Sequence, residues 1–149
     1  MNAVTWILKL LLAGTLGWAG ITKIAAPSEF ATEITNYQFF PSAAPIAAST
    51  LPGLEIVLAI ALIVFRPRSP WLAGTALATI GVMALFTIAI AQVLARDINI
   101  DCGCFGGGSS PINWITLARD IGLLAASVVL LLFNNTHSAP QSGRLTLPR

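Results

Sequence analysis

The sequence predicts an all-α integral membrane protein, a four-transmembrane-helix bundle with a short interfacial helix between helices 1 and 2. Three observations carry this. Hydrophobic residues make up 56% of the 149 positions. Charged residues make up 9%, whereas the solvated shell of a soluble domain takes about a quarter of its composition, a demand that lipid does not make. Four apolar segments approach the roughly 20 residues with which a helix crosses a bilayer. The length suits one domain. The net charge of +2 comes with no basic run and no pattern of stacking aromatics, so nucleic acid has no footing as a partner and the lipid bilayer is the first one expected.

The first span runs from about Val4 to Ala25. It is long for the apolar region of a secretory signal and has no basic stretch ahead of it, Lys9 lying inside the run, so a spanning helix is expected. Gly14, Gly17 and Gly20, with Ala13, read as a small-residue strip for close helix contact. Pro27-Ser28-Glu29-Phe30 then looks like a helix start. Phe30, Ile34, Tyr37 and Phe40 fall near helical spacing while Glu29, Glu33 and Asn36 take another face. That pattern predicts a short amphipathic helix at the interface, ended before Pro41, with a structured loop as the alternative.

The second span, about Leu51 to Phe65, opens on Thr50-Leu51-Pro52, where proline suits a first helical turn because its missing N–H is not needed there. Arg66-Pro67-Arg68-Ser69-Pro70 ends it in a tight connection, which makes spans two and three antiparallel neighbours. The third span is expected over about Trp71 to Ala95. The fourth, about Ile112 to Phe133, is opened by Ser110-Pro111. Residues 1–133 thus form the membrane domain, and the polar tail over 134–149 is expected to be loose and cytoplasmic.

With four spans, the N-terminus, the 66–70 loop and the tail share one side, and the 26–50 and 96–111 segments share the other. The first side carries Arg66, Arg68, Arg144 and Arg149 and no acid; the second side and its adjoining helix ends hold Glu29, Glu33, Glu55, Asp97, Asp101 and Asp120 with Lys23, Arg96 and Arg119. The positive-inside rule puts the first side in the cytoplasm. The expected location is therefore a bacterial inner membrane, with the 96–111 loop facing out.

That loop holds both cysteines of the chain, in Asp101-Cys102-Gly103-Cys104-Phe105-Gly106. Cysteines at i and i+2 can be bridged only across a sharp turn, which Gly103 permits because it reaches positive φ without a Cβ penalty. So small a ring is strained, and strained exposed disulfides are the labile, oxidising ones. A structural staple would close a longer loop, where the entropic gain is larger. Redox chemistry is the favoured reading. Two others stay open: chelation of Cu(I) or a share in a zinc site, and an inert buried pair. Zinc wants four ligands and the one histidine, His137, lies in the tail on the other side, so no metal site is expected. An iron–sulfur cluster needs about four cysteines. Gly106, Gly107 and Gly108 suit an accessible loop, or a plain linker.

Asp101-Cys102-Gly103-Cys104-Phe105-Gly106 resembles the signature of the MauE branch of the MauE/DoxX family of small membrane proteins. Gly20-Ile21-Thr22-Lys23 followed by Pro27 and Phe30 resembles that family's pattern at the end of its first helix, and Leu51-Pro52-Gly53-Leu54-Glu55 the pattern opening its second. Arg119-Asp120 sits where its fourth helix often carries charge. The likeness runs to about residue 133. It implies a four-helix membrane bundle engaged in thiol–disulfide chemistry outside the cytoplasm. Members from methylamine utilisation help to mature a disulfide-rich dehydrogenase subunit beside a thioredoxin-like partner, although the branch is broader than that pathway.

No motif for a bound cofactor is present. A membrane dithiol must still exchange electrons with something, and a quinone or a second thiol protein is the expected counterpart. One of Cys102 and Cys104 would attack a partner disulfide and the other would resolve the mixed disulfide. Arg96 and the N-terminus of the fourth helix favour a thiolate, and Asp101 opposes it. Glu55 and Arg119, charges within spans, are expected to face the bundle interior, either as an ion pair with each other or lining a quinone head-group pocket. Asp120 and Gln92 would join either arrangement, and Lys23 is expected to snorkel to the interface. The contrasting function is that of a non-catalytic accessory subunit in a larger membrane complex.

Overall fold

The computed structural model describes residues 3–38, 42, 44–96, 98 and 112–135. They form five helices: α1 (Ala3–Ala25), α2 (Pro27–Asn36), α3 (Ala44–Val64), α4 (Pro70–Ala95) and α5 (Trp114–Asn135). All except α2 are long and apolar enough to cross a membrane. The chain is thus a multi-pass membrane protein in contact with lipid. Ile7, Leu10, Val57, Ile60, Leu77 and Ile88 point out of the bundle, as befits helices whose surroundings are apolar on every side.

The packing is organised in two pairs, α1 against α3 and α4 against α5, and the pairs meet mainly through α1–α5 and α3–α4 contacts. The tight 66–70 turn does make α3 and α4 neighbours, but it does not make them the closest partners. Leu12 and Leu16 of α1, Leu58 and Leu62 of α3, Leu72 and Ala76 of α4 and Leu130 of α5 meet in one apolar core. Their spacing of three or four residues is the inward stripe of each helix.

α3 departs from the expected start at Leu51. It begins seven residues earlier, at Ala44, so Pro52 lies in its interior. Pro45 is the proline that serves the first turn, and the following Ala47-Ala48 is strongly helix-forming. Pro52 deprives the Ala48 carbonyl of its usual donor. The break is tolerated because adjacent helices and hydroxyl side chains support such helices in membranes; Ser49 and Thr50 both donate to the Ile46 carbonyl, at 2.9 and 2.8 Å.

The small-residue strip of α1 does not act as a unit. Steps of three residues drift around a helix, so Gly14 faces open space while Gly20 faces α3. A Cβ at Gly20 would come 2.9 Å from the Pro52 carbonyl oxygen, closer than real side chains approach, so α1 and α3 pack backbone against backbone here.

Polar side chains hold the end at which α1 begins. The Lys9 ammonium is fully buried, donates to the Phe65 carbonyl at 2.7 Å and lies 4.2 Å from the Trp6 ring centre. It thereby caps the C-terminus of α3 from a neighbouring helix. Arg68 takes φ 67°, a conformation that costs a non-glycine residue roughly 1 kcal/mol. Asn134 holds it there, accepting from the Arg68 N–H at 2.6 Å and donating to the Ser69 carbonyl at 3.1 Å. Ser69 caps α4 through the Leu72 N–H at 3.0 Å. α5 accordingly runs past the boundary expected at Phe133, because Asn134 is buried in this contact. Asn113 opens α5, its side chain accepting from the Thr116 N–H at 3.0 Å; the expected opening at Ser110-Pro111 lies outside the described residues, as does the tail from 136.

Candidate functional site

Asp101, Cys102, Gly103 and Cys104 lie outside the described residues. Their flanks are described. α4 ends at Ala95 with Arg96 as its exposed cap residue, and α5 begins at Trp114. The cysteine loop therefore leaves and re-enters the bundle at the end opposite Lys9 and Asn134.

α2 lies at this same end. Its Phe30 is buried, while Glu29 and Asn36 face out, so the amphipathic helix expected over this stretch is present. It stops at Asn36, with Gln38 in the left-handed region at φ 50°. Gln92, in the last turn of α4, donates to the Tyr37 carbonyl at 3.0 Å. It thus fastens α4 to the exit of α2 instead of joining the charged cluster.

Beneath α2 the charges pair in an order that the sequence did not reveal. Glu55 bonds Lys23, not Arg119. The Lys23 side chain is 2% exposed and that of Glu55 is fully buried, so the lysine is drawn inward instead of snorkelling. Two rings flank its ammonium, Phe86 at 4.5 Å and Phe30 at 5.1 Å from ring centre, and their quadrupoles favour the charge. Arg119 turns to its own neighbour, giving Asp120 Oδ1 two hydrogen bonds at 3.0 and 3.1 Å. Lengthening α3 toward its N-terminus is what misled the register: Glu55 sits at the middle of its helix, not one turn in.

The pairing was partly legible. Lys9, Leu12, Leu16 and Lys23 recur on one face of α1, and Glu55, Leu58 and Leu62 on one face of α3. Helical periodicity alone thus places these charges in the core stripe. The Gly20 approach then sets the two helices close enough for Lys23 to reach Glu55, one turn further along.

Both pairs, Lys23–Glu55 and Arg119–Asp120, line one small cleft with room for about one water molecule. Its remaining walls are mostly apolar and include Leu16, Met83, Phe86 and Leu123. Glu55 Oε2 is buried and has no hydrogen-bond partner among the described residues.

Gly20 and Lys23 of α1, Phe30 of α2, and Pro52 and Glu55 of α3 belong to the patches that resembled a known family. A family model described as methylamine utilisation protein MauE matches residues 1–133. The chain belongs to the MauE family. Among its MauE relatives, the methylamine utilization protein MauE of Paracoccus denitrificans is 30% identical over 130 residues, covering 85% of this chain and 68% of that protein. The protein of the same name from Paracoccus versutus is 32% identical, over 84% of this chain and 67% of its own length. That of Methylorubrum extorquens is 36% identical, over 83% and 66%. No solved structure matches this MauE-family chain.

Proposed function

We propose that this MauE-family chain is a membrane thiol–disulfide redox protein, exchanging electrons between an extracytoplasmic thiol partner and a quinone or second thiol protein through Cys102 and Cys104. The observation that carries the reading is the placement of both cysteines, with one glycine between them, in the loop joining α4 to α5. A pair so close in sequence stabilises little as a staple and suits a bond that opens and closes. The loop faces the periplasm in this account. Arg66 and Arg68, in the short 66–70 loop at the opposite end, support this orientation by the positive-inside rule. The family's methylamine-utilisation members support a place in maturing a disulfide-bonded protein for that process, beside a thioredoxin-like partner.

The mechanism is exchange through a mixed disulfide. One thiolate attacks the partner's disulfide, the second cysteine displaces the partner, and two electrons pass between the proteins. Arg96, at the exposed cap of α4, supplies positive charge where the loop begins, which favours the thiolate.

Single substitution of each cysteine to serine tests this. Loss of the resolving cysteine should freeze the mixed disulfide, so one variant, Cys102→Ser or Cys104→Ser, should yield a reductant-sensitive adduct with a periplasmic thiol protein. A membrane-impermeant maleimide should label the reduced pair in intact spheroplasts. Absence of an adduct from both variants would favour the accessory-subunit reading, and labelling only after lysis would reverse the orientation.

A further inference from the structure

Among the described residues, the end of the bundle at which α3 stops and α4 begins carries positive charge alone: Lys9, Arg66 and Arg68. Glu29, Glu33 and Asp120 lie toward the other end, and Glu55 at the middle of α3. Lys9 is engaged inside the bundle by the Phe65 carbonyl. Arg66 and Arg68 are exposed, and neither guanidinium makes an ion pair or a hydrogen bond among the described residues. Two such groups, two residues apart and with no carboxylate beside them, leave their N–H donors to be met from outside the protein.

The turn that presents them is held in one conformation. Arg68 sits at φ 67°, which glycine takes without cost and an arginine keeps only where its surroundings enforce it. Asn134, 3% exposed, enforces it through the Arg68 N–H at 2.6 Å and the Ser69 carbonyl at 3.1 Å, and Ser69 fixes the next turn through the Leu72 N–H. A buried side chain of α5 is thus committed to holding an exposed arginine in a left-handed conformation. Beside it α4 begins. The Trp71 backbone N–H has no acceptor among the described residues, so the positive end of the α4 dipole adds to the two arginines. The Trp71 side chain is 70% exposed and its ring lies 6.0 Å from that of Phe65, as suits a tryptophan at the boundary between headgroups and acyl chains.

Cations at a membrane boundary, a helix N-terminus and an interfacial tryptophan together fit an anion that is itself part of the membrane. A lipid phosphate supplies the acceptors, and its acyl chains give Trp71 an apolar partner that free phosphate lacks. A headgroup with a quaternary ammonium would bring a further cation to two arginines, with no carboxylate there to receive it. We propose that the 66–71 turn is a binding site for a phospholipid of net negative charge, its phosphate held by Arg66, Arg68 and the first turn of α4 and its chains passing over Trp71. The site stands at the end away from the cysteine loop and does not depend on the redox reading.

The test is native mass spectrometry of the full chain released from nanodiscs that hold phosphatidylcholine and phosphatidylglycerol in equal parts. Phosphatidylglycerol should be retained in preference by about tenfold or more, and should raise the unfolding temperature above that in phosphatidylcholine alone. Arg66→Gln and Arg68→Gln should each lower the preference about fivefold, and the double variant should abolish it. Arg68→Gly separates binding from stability, because it relieves the backbone while removing the guanidinium. It should unfold in phosphatidylcholine at the same temperature or higher, yet lose the preference as Arg68→Gln does. Inorganic phosphate at millimolar concentration should fail to displace the lipid. Equal retention of the two lipids, or an unchanged preference in Arg66→Gln/Arg68→Gln, overturns the proposal. Displacement by inorganic phosphate would also overturn it, by marking a site for a soluble anion.

Discussion

Replacing Lys23 by Met should be among the most damaging single changes in the bundle, and a second change should largely undo it. Lys23 and Glu55 are both buried and bonded to each other. Lys23→Met leaves the Glu55 carboxyl without its cation, and breaking a buried pair from one side costs about 3–5 kcal/mol. The ring contacts with Phe86 and Phe30 are lost as well, at about 1 kcal/mol each. Glu55→Leu alone strands the ammonium in the same way. In Lys23→Met/Glu55→Leu no charge is left behind, and two apolar side chains of similar volume fill the space. What remains is the loss of the ring contacts and imperfect packing, about 2–3 kcal/mol. The double variant should therefore lose several kcal/mol less than the two single changes summed, the sign of a coupled pair. The difference is measured by reversible unfolding in mixed micelles, followed by circular dichroism. Additive effects of the two single changes would refute the pairing. By the same logic Arg119→Leu should strand Asp120 and leave the Lys23–Glu55 coupling unchanged.

Three further outcomes follow from individual contacts. Gly20→Ala should cost about 1–3 kcal/mol because its Cβ meets the Pro52 carbonyl, while Gly14→Ala, in open space, should be neutral or slightly stabilising; thermal unfolding separates them. Asn134→Ala, which removes both bonds to the Arg68–Ser69 turn, should cost about 1–3 kcal/mol by the same assay. Gly103→Val should leave expression and helix content intact yet raise the potential of the cysteine pair, by about 30 mV for each 1.4 kcal/mol of added strain, and an unchanged potential in a well-expressed variant would remove disulfide cycling from the mechanism.

The sequence made the four spans legible because apolar length is a strong signal and lipid leaves few alternatives. α2 was legible from its two faces, with Phe30 buried and Glu29 exposed as expected. The start of α3 was misplaced because Pro52 reads as a helix opening in local terms, whereas the Ala-rich run ahead of it extends the helix by seven residues. The charged pairs were misassigned for a related reason. With a start at Leu51 Glu55 lies one turn deep, where Arg119 can reach it and Lys23 is left to snorkel; the start at Ala44 puts it at the middle of its helix. What decides the pairing is the close approach at Gly20, a relation between two helices that neither segment states alone. Lys9 interrupts an apolar run, yet its place on the stripe of Leu12 and Leu16 marks it as inward-facing.

The central claim, that Cys102 and Cys104 form a working redox couple, is tested most directly by a redox titration of the membrane-embedded protein with alkylation of free thiols at each poise. A functional pair should pass reversibly between dithiol and disulfide as a two-electron couple, with a midpoint in the range of disulfide-exchange proteins, roughly −270 to −120 mV. A pair that stays oxidised, or stays reduced, across that whole range would contradict it.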